Sequence, residues 1–268
     1  MNSPIKWVGG KSNLINTLIP LIPKHNCYVE VFGGAGWLLF RKNPSNVEIL
    51  NDYDNNLMNF YNVVKNEPKL FIESFKYTLV SRTLFNEYKK KYKIHDFKDN
   101  IDKAHIFYYL VNAGFASDMN DIIFGTKCQS RNGLRIEQIE QSILTTHKRL
   151  QKVTIENKSF EGIFKTYDDK DTFFFLDSPY RNSDSSYAVG KFTDEQYNIL
   201  FDCCKNSKGK WLYTINDDDY IKDLFKDFNF ITHEVYYSVC GIDSGRRKFK
   251  ELIITNYNVN TKLQNKLF

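Results

Sequence analysis

The stretch that decides the fold is Phe173-Phe174-Phe175-Leu176-Asp177-Ser178-Pro179-Tyr180. Four consecutive apolar residues are typical of a fully buried strand in a parallel sheet. The next four place a carboxylate, a rigid proline and an aromatic ring at the strand's carboxyl end, where open α/β sheets bind ligands. An acceptor beside a flat apolar face suits a planar ring that carries an amino group. The alternative is a strand exit with a capping Asp177 and a packed Tyr180, and this stretch alone does not decide.

Stretches rich in β-branched and aromatic residues predict seven strands, at residues 27–32, 47–51, 153–156, 172–176, 211–215, 231–238 and 251–255. Helical patterns lie between them. Leu57, Phe60, Tyr61 and Val64 form one apolar face, and Ile136, Ile139, Ile143 and Leu150 form another, with Leu144 and His147 at its edge. A capping box at 193–196 opens a further helix. This alternation predicts an α/β fold with a doubly wound, mostly parallel, seven-stranded sheet.

Composition narrows the class of protein. A chain of 268 residues suits one large α/β domain or a core with a smaller insertion. A net charge of +5 is compatible with a nucleic-acid partner without requiring one. Five cysteines without a CxxC pair favour a reducing cytoplasm and argue against a structural zinc site, so we expect no metal. The start of the chain, 1–6, lacks a signal peptide, and the apolar runs are too short to cross a membrane.

One region interrupts the alternation of strands and helices. Residues 67–132 contain helical patterns, polar loops and many lysines and tyrosines, but no convincing strand. We therefore expect a helical insertion at 67–132 in a discontinuous domain formed by 1–66 and 133–256. We expect the polar tail, 257–268, to fray. The lysine run at 89–93 is most simply a solvated helix face.

Three further segments suit ligand binding. Lys6-Trp7-Val8-Gly9-Gly10-Lys11-Ser12 is not a P-loop, because Ile5 stands where that motif needs glycine, but its backbone N–H groups, indole and cations can hold a ligand. Phe32-Gly33-Gly34-Ala35-Gly36 is a small-residue turn before a helix, although tight turns need glycine in any case. Asp52 follows about 20 residues later, as a ribose-binding carboxylate does. An N-cap is the equal alternative for Asp52.

Together these segments resemble the N6-adenine DNA methyltransferases of the DNA adenine methylase (D12) class, which use S-adenosylmethionine and have a Rossmann-like fold. Residues 6–11 match the family's Lys-Trp-x-Gly-Gly-Lys signature, 32–36 its cofactor loop, and Asp52 its ribose-binding acid. Asn56-Leu57, Tyr61-Asn62, the basic turn at 245–248 and Glu251-Leu252 fit as well. The resemblance covers residues 6–64 and about 153–255. Ser178 departs from the family's Asp-Pro-Pro-Tyr, and the insertion only faintly matches the segment that reads GATC.

The resemblance implies a role for each matched residue. Catalytic roles fall on Asp177, Ser178, Pro179 and Tyr180: the Asp177 carboxylate and the Ser178 carbonyl would accept the two hydrogens of an adenine amino group, and Tyr180 would stack on the base. Implied cofactor-binding residues are Trp7, Gly10, Lys11, Phe32, Gly33, Gly34, Ala35, Gly36, Asp52, Ser159, Phe160 and Asp177, although Phe160 is equally well explained as core. DNA-binding candidates are Lys6, Arg131, Arg135, Arg246, Arg247 and Lys248, although the two isolated arginines could simply be surface residues.

The expected partner is double-stranded DNA, with the insertion reading the target sequence, and a restriction-modification partner is an open possibility. Two rival functions are a methyltransferase acting on RNA adenine or a protein amide, and a DNA-binding protein that has lost catalysis. The Lys-Trp-x-Gly-Gly-Lys signature argues against the first. Ser178 alone supports the second.

Overall fold

The computed structural model describes residues 1–7, 14–115, 119, 122–126, 131–181, 192–237 and 247–259, with the backbone alone at 234–237 and 247–249. Seven strands form one sheet in the order β3-β2-β1-β4-β5-β7-β6. All seven predicted strands are confirmed, and their bounds are Cys27–Glu30 (β1), Val47–Asn51 (β2), Val153–Glu156 (β3), Thr172–Leu176 (β4), Lys210–Asn216 (β5), Asn229–Tyr237 (β6) and Arg247–Thr255 (β7).

Strand direction confirms the mostly parallel sheet. The pairs β3–β2, β2–β1, β1–β4 and β4–β5 are parallel. β7 lies between β5 and β6 and is antiparallel to both. β1 is shorter than predicted, since the chain turns at the glycines after Glu30. The last two strands are longer than predicted, because they pair with each other along nine residues and form a hairpin at the sheet's edge.

Helices cover both faces of the sheet, as the doubly wound fold requires. In the described residues they are Ile15–Leu18 (α1), Trp37–Arg41 (α2), Asn55–Asn66 (α3), Pro68–Ser74 (α4), Arg82–Lys93 (α5), Asn100–Ala113 (α6), Ile136–Leu150 (α7), Phe160–Tyr167 (α8), Asp194–Asn206 (α9) and Asp219–Leu224 (α10). One core lies between the sheet and α1 to α7, and the other between the sheet and α8 to α10. Alternate strand residues therefore enter different cores, with Phe173 and Phe175 in the first and Phe174 and Leu176 in the second.

Local signals explain where the helices begin. The predicted capping box is present at α9: the Thr193 side chain accepts from the Gln196 amide N–H, and the Gln196 side chain accepts from the Thr193 N–H. In α7 the predicted face is buried at Ile139, Ile143 and Leu150, whereas Leu144 is exposed.

The segment 67–132 contains α4, α5 and α6. Its one extended pairing in the described residues is an isolated antiparallel bridge between Gly114 and Phe124. α6 is buried along almost its whole length and packs against α3 in the same core as the sheet. The helical content agrees with the expectation from the sequence, but α6 is itself part of the core beside α3. The exposed residues of the segment include residues on α4, on α5 and in the chain between these two helices.

The start of the polar tail differs from expectation. The Tyr257 hydroxyl donates to the Leu21 carbonyl at 2.9 Å, and its ring packs against the core. Fraying is therefore wrong for Tyr257, and residues 260–268 lie outside the described part of the chain. No helix in the described ranges is long and apolar enough to span a bilayer.

Candidate active site

The site lies where the strand order reverses, between β1 and β4. These parallel neighbours align Glu30 with Phe175, and the Val31 N–H donates to the Phe175 carbonyl at 3.0 Å just beyond the end of β1. The glycine turn after β1 and the Asp-Ser-Pro-Tyr loop after β4 therefore leave the sheet side by side. A crevice at such a reversal is where open α/β sheets bind ligands.

The turn after β1 requires its glycines. Gly34 and Gly36 have φ of 48° and 64°, a left-handed conformation that side chains disfavour, and Gly36 occupies the N-cap position of α2. A Cβ at Gly33 would lie 2.7 Å from the Asn51 carbonyl oxygen, and one at Gly34 would lie 3.0 Å from the Trp7 ring. Trp7 thus lies against the turn at Gly34, and Gly33 and Gly34 are positions that only glycine fits well.

Asp52 at the end of β2 holds this turn in place. Its Oδ2 accepts from the Gly34 N–H at 2.8 Å, and its Oδ1 accepts from the Asp54 N–H at 2.9 Å. Burial raises the pKa of Asp52 to about 6, opposed by these N–H donors. The N-cap alternative for Asp52 is wrong, since α3 is capped by Asp54, which accepts from the N–H groups of Asn56 and Leu57.

Asn51 joins three strand ends and was missed by the sequence analysis. Its amide donates to the Val31 carbonyl at 2.8 Å and the Lys158 carbonyl at 3.1 Å, and its oxygen accepts from the Lys158 N–H. Ser159 follows as the N-cap of α8, where its hydroxyl accepts from the Gly162 N–H. Phe160 is buried and packs against Phe32 with centroids 5.8 Å apart. The core alternative fits Phe160 well, and its contact with a cofactor stays a prediction.

The loop after β4 is held by a separate side-chain contact at each of its four residues. Oδ1 of Asp177 accepts from the Thr214 hydroxyl at 3.0 Å, and the Ser178 hydroxyl lies 2.7 Å from the Tyr213 hydroxyl. The Pro179 carbonyl accepts from the Tyr197 hydroxyl at 2.6 Å, and the Tyr180 hydroxyl donates to Glu251. These anchors come from β5, α9 and β7, so the loop is fixed from three neighbouring elements.

These anchors were not predicted. Each joins residues 18 to 71 positions apart. The pairing of β5 with β4 and β7 brings three of them together, and the packing of α9 on the sheet brings Tyr197 to Pro179. The next residue, Arg181, also docks: its Nε and Nη2 donate to the two Asp194 oxygens at 2.8 and 3.0 Å, and its guanidinium stacks on Tyr220. The loop is therefore anchored at every residue from Asp177 to Arg181.

Glu30 is a buried carboxyl group beneath the glycine turn and the loop. Its Oε2 accepts from the Tyr28 hydroxyl at 2.8 Å and the Leu39 N–H at 3.0 Å. Burial raises the pKa of Glu30 to about 8; the charge of nearby Asp177 also acts to raise it, and those donors and Lys42 act to lower it. Burial therefore favours the protonated form of Glu30.

The remaining predicted site residues fall into three groups. Gly10, Lys11 and Arg246 lie outside the described residues. Arg247 and Lys248 pair with Tyr237 and Tyr236 in the β6–β7 hairpin. Lys6 and Arg131 are exposed and Arg135 is partly exposed; Nζ of Lys6 lies beside Gly133, which brings Lys6 to the segment between those two arginines.

Lys89 in the lysine run has a structural role. Its Nζ donates to the Ile122 carbonyl at 2.6 Å and fastens the chain after α6 to α5. Among the described residues, no group of three or more His, Cys, Asp or Glu side chains suits a metal ion.

The comparisons with known proteins agree with this geometry. A sequence model of the family described as D12 class N6 adenine-specific DNA methyltransferase matches residues 7–239. The chain therefore belongs to that family of site-specific enzymes, and its sheet is the Rossmann-like α/β fold of a methyltransferase domain. Both the predicted family and the predicted enzyme class are confirmed.

Three relatives illustrate the match. Type II methyltransferase M.CviBI of Paramecium bursaria Chlorella virus NC1A is 28% identical over 266 residues, covering 96% of this chain and all of the relative. Type II methyltransferase M1.LlaDCHI of Lactococcus lactis subsp. cremoris is 28% identical, covering 94% of each chain. The DNA adenine methylase of Haemophilus influenzae is 25% identical, covering 93% of this chain and 91% of the relative.

Proposed function

We propose that this protein transfers a methyl group from S-adenosylmethionine to the N6 amino group of an adenine flipped out of double-stranded DNA. The observation that carries the proposal is the adjacency of two differently built strand ends. The glycine turn offers backbone groups beside Trp7 and Asp52. The neighbouring loop offers a carboxylate, a carbonyl and an aromatic ring, and the side chains of Asp177, Ser178 and Tyr180 are each hydrogen-bonded to another part of the protein.

The loop suits an amino group that must become nucleophilic. The lone pair of the adenine N6 is delocalised into the ring, and accepting both of its hydrogens favours a pyramidal nitrogen. Asp177 and the Ser178 carbonyl are the two acceptors, and Tyr180 stacks on the base. The Thr214 hydroxyl orients Asp177 before substrate arrives, so the acceptor requires little reorganisation during reaction.

The residues around the turn fit the cofactor. Asp52 would accept from ribose hydroxyls, and it stands at the end of β2 beside the turn. Trp7 provides an aromatic wall, and the absence of side chains at Gly33 and Gly34 lets the turn pack closely against Asn51 and Trp7. The cofactor supplies an intrinsically reactive methyl sulfonium, and the protein supplies alignment.

DNA must deliver the adenine unpaired, because a stacked base cannot reach the crevice. Flipping costs a few kcal/mol, which phosphate and base contacts must offset. We assign target recognition to residues 67–132 with Arg135, and phosphate contacts to Lys6, Arg131 and the turn at 246–248. Since α6 is buried, base reading falls to the exposed remainder of this segment.

We place the reaction in the cytoplasm, because free cysteines such as Cys27 and Cys204 are typical of a reducing compartment. Two relatives are named type II methyltransferases, so a restriction enzyme of matching specificity is the partner to search for.

The test is to incubate the protein with methyl-labelled S-adenosylmethionine and duplex DNA of mixed sequence, then to digest the DNA to nucleosides. Label in N6-methyladenine is the expected result, with Asp177→Ala as the inactive control. Label in cytosine, or transfer only to RNA or protein, would contradict the proposal. Binding of cofactor and DNA with no transfer would support the binding-only rival. Methylation-aware sequencing of the same DNA then gives the target site, which we do not expect to be restricted to GATC.

A further inference from the structure

Two buried hydroxyl groups meet behind the loop. Ser178 is 2% exposed and Tyr213 is fully buried, and their hydroxyl oxygens are 2.7 Å apart. Tyr213 pairs with Leu176 across β5 and β4, and its ring packs on Phe225 in the core beneath α8 to α10. A tyrosine hydroxyl in such an apolar core is tolerated only with a hydrogen-bond partner, and Ser178 supplies it.

Ser178 and Asp177 face opposite sides of the sheet. Asp177 meets Thr214 on the side of α1 to α7, whereas Ser178 meets Tyr213 on the side of α8 to α10. The Ser178 side chain is thus directed away from Asp177 and its acceptor oxygens. Its hydroxyl therefore contacts β5 on the side of the loop that faces α8 to α10.

The backbone at Ser178 needs an additional restraint. Pro179 already limits Ser178 to extended ψ values, because the proline ring clashes with a helical residue before it. Rotation about the N–Cα bond of Ser178 is left free, whereas a proline at this position would fix it. The hydrogen bond to Tyr213 ties the Ser178 side chain to β5 and so restricts the same rotation from outside the backbone.

We propose that Tyr213 is a positioning residue that, through the Ser178 hydroxyl, fixes the Ser178 carbonyl in the orientation needed to accept from the substrate amine. This inference rests on the proposed function, which makes that carbonyl an acceptor. Tyr213 itself touches neither substrate nor cofactor in this account.

The Ser178 hydroxyl has two contacts. It lies 3.3 Å from the Pro179 carbonyl oxygen and 2.7 Å from the Tyr213 hydroxyl, and when it donates to that carbonyl its oxygen can accept from Tyr213. Tyr197 donates to the same Pro179 carbonyl at 2.6 Å. Two tyrosines on different elements, β5 and α9, therefore converge on consecutive residues of the loop, and the loss of one leaves the other in place.

The first test is Tyr213→Phe, which removes one oxygen and keeps the ring in the core. We expect single-turnover methyl transfer to fall on the order of tenfold to a hundredfold, because small displacements of a reacting group have effects of that size. Cofactor affinity should change less than twofold. The matched control is Tyr257→Phe, which removes a hydroxyl bonded to a backbone carbonyl at the opposite end of the sheet and should leave the transfer rate unchanged.

The second test asks whether Tyr213→Phe lowers or raises the transfer rate in two backgrounds, the wild-type protein and S178P. With Ser178 present, Tyr213→Phe should slow transfer. In the S178P background the Tyr213 hydroxyl has lost its partner, so adding Tyr213→Phe should raise the rate or leave it unchanged. A role of the tyrosine hydroxyl that is independent of Ser178 does not produce this reversal, and loss of the Ser178 N–H is common to both S178P variants.

The outcomes separate the two proposals. If the wild-type protein makes no N6-methyladenine, the proposed function fails. If the wild-type protein is active and Tyr213→Phe transfers methyl groups at the wild-type rate, the positioning role fails alone. Equal fractional losses from Tyr213→Phe in both backgrounds would also overturn it, because the hydroxyl would then act independently of Ser178.

Discussion

The turn after β1 and the loop after β4, which meet where the strand order reverses, are built in opposite ways. The turn after β1 is made of small residues and is held mainly through its backbone, with Asp52 bound to the Gly34 N–H. The loop after β4 is held mainly through side chains, with one anchor for each residue from Asp177 to Tyr180. The turn presents closely packed backbone beside Trp7 and Asp52, whereas the loop presents fixed groups.

This difference indicates which half of the reaction each region serves. A large, flexible cofactor needs room and backbone contact, which side chains would obstruct. A weakly nucleophilic amine needs acceptors at fixed positions, which a free loop would not provide. Variants of the turn should therefore act chiefly on cofactor binding, and variants of the loop chiefly on the rate of transfer.

The largest expected effect is that of Asp177→Ala. Removing the carboxylate should lower the single-turnover rate on the order of a thousandfold, since the lost hydrogen bond strengthens as the nitrogen becomes pyramidal. Cofactor affinity should stay within a few fold, as measured by calorimetry. If the variant kept a near-normal rate, Asp177 would have no catalytic role, and the proposed difference between the two strand ends would be wrong.

Asp52→Asn should show the opposite pattern. The amide oxygen can still accept from Gly34, but the amide NH2 would then face the Asp54 N–H and the negative charge facing the ribose is lost, so cofactor affinity should weaken about tenfold with a small change in the transfer rate at saturation. Because the raised pKa of Asp52 is about 6, wild-type affinity should also fall as pH drops from 7 to 5, when the carboxylate becomes protonated. Asp52→Asn should abolish this pH dependence. A pH profile shared by both proteins would refute the assignment.

A smaller effect is expected at the outer end of the loop. Tyr180→Phe keeps the ring that stacks on the base but removes the hydroxyl that donates to buried Glu251. We expect a loss of a few fold in transfer rate, against a much larger loss for Tyr180→Ala, measured with saturating DNA. If the two variants were equally impaired, the hydroxyl would be the active part of Tyr180 and stacking would be the wrong role.

The smallest effect on activity should come from Glu30, which lies beneath both regions. Its folded-state pKa of about 8 exceeds the ordinary value of 4.5, so between these values the folded protein holds a proton that the unfolded chain releases. Stability should therefore fall as pH rises through this window, by up to about 1.4 kcal/mol per pH unit. Glu30→Gln should lack this slope in urea unfolding at pH 5.5, 6.5 and 7.5. Parallel profiles for the two proteins would mean that Glu30 is ionised in the fold.

The sequence was sufficient for the parts of the molecule that depend on local patterns. Buried runs such as Phe173 to Leu176 and the capping box at Thr193 predicted elements that the structure confirms. The helix cap at Asp54 was missed because Asp52 stands only two residues away with the same chemistry.

The loop anchors lay beyond what local patterns contain. Tyr213 and Glu251 have the spacing of ordinary strand residues, and only the register of β5 and β7 shows that they reach the loop. The strand order and the burial of α6 also depend on tertiary packing. The side chains that fix the site were therefore hidden, whereas the residues proposed to perform its chemistry were visible as motifs.

The most direct measurement is a crystal structure of the protein with S-adenosylhomocysteine and duplex DNA carrying its target adenine. The account predicts a flipped adenine stacked on Tyr180, with N6 within hydrogen-bond distance of the Asp177 carboxylate and the Ser178 carbonyl. It also predicts the ribose of the cofactor product at Asp52, beside the glycine turn. An adenine that remained in the helix, or a ribose bound at Asp177 in place of the base, would contradict the division between the two strand ends.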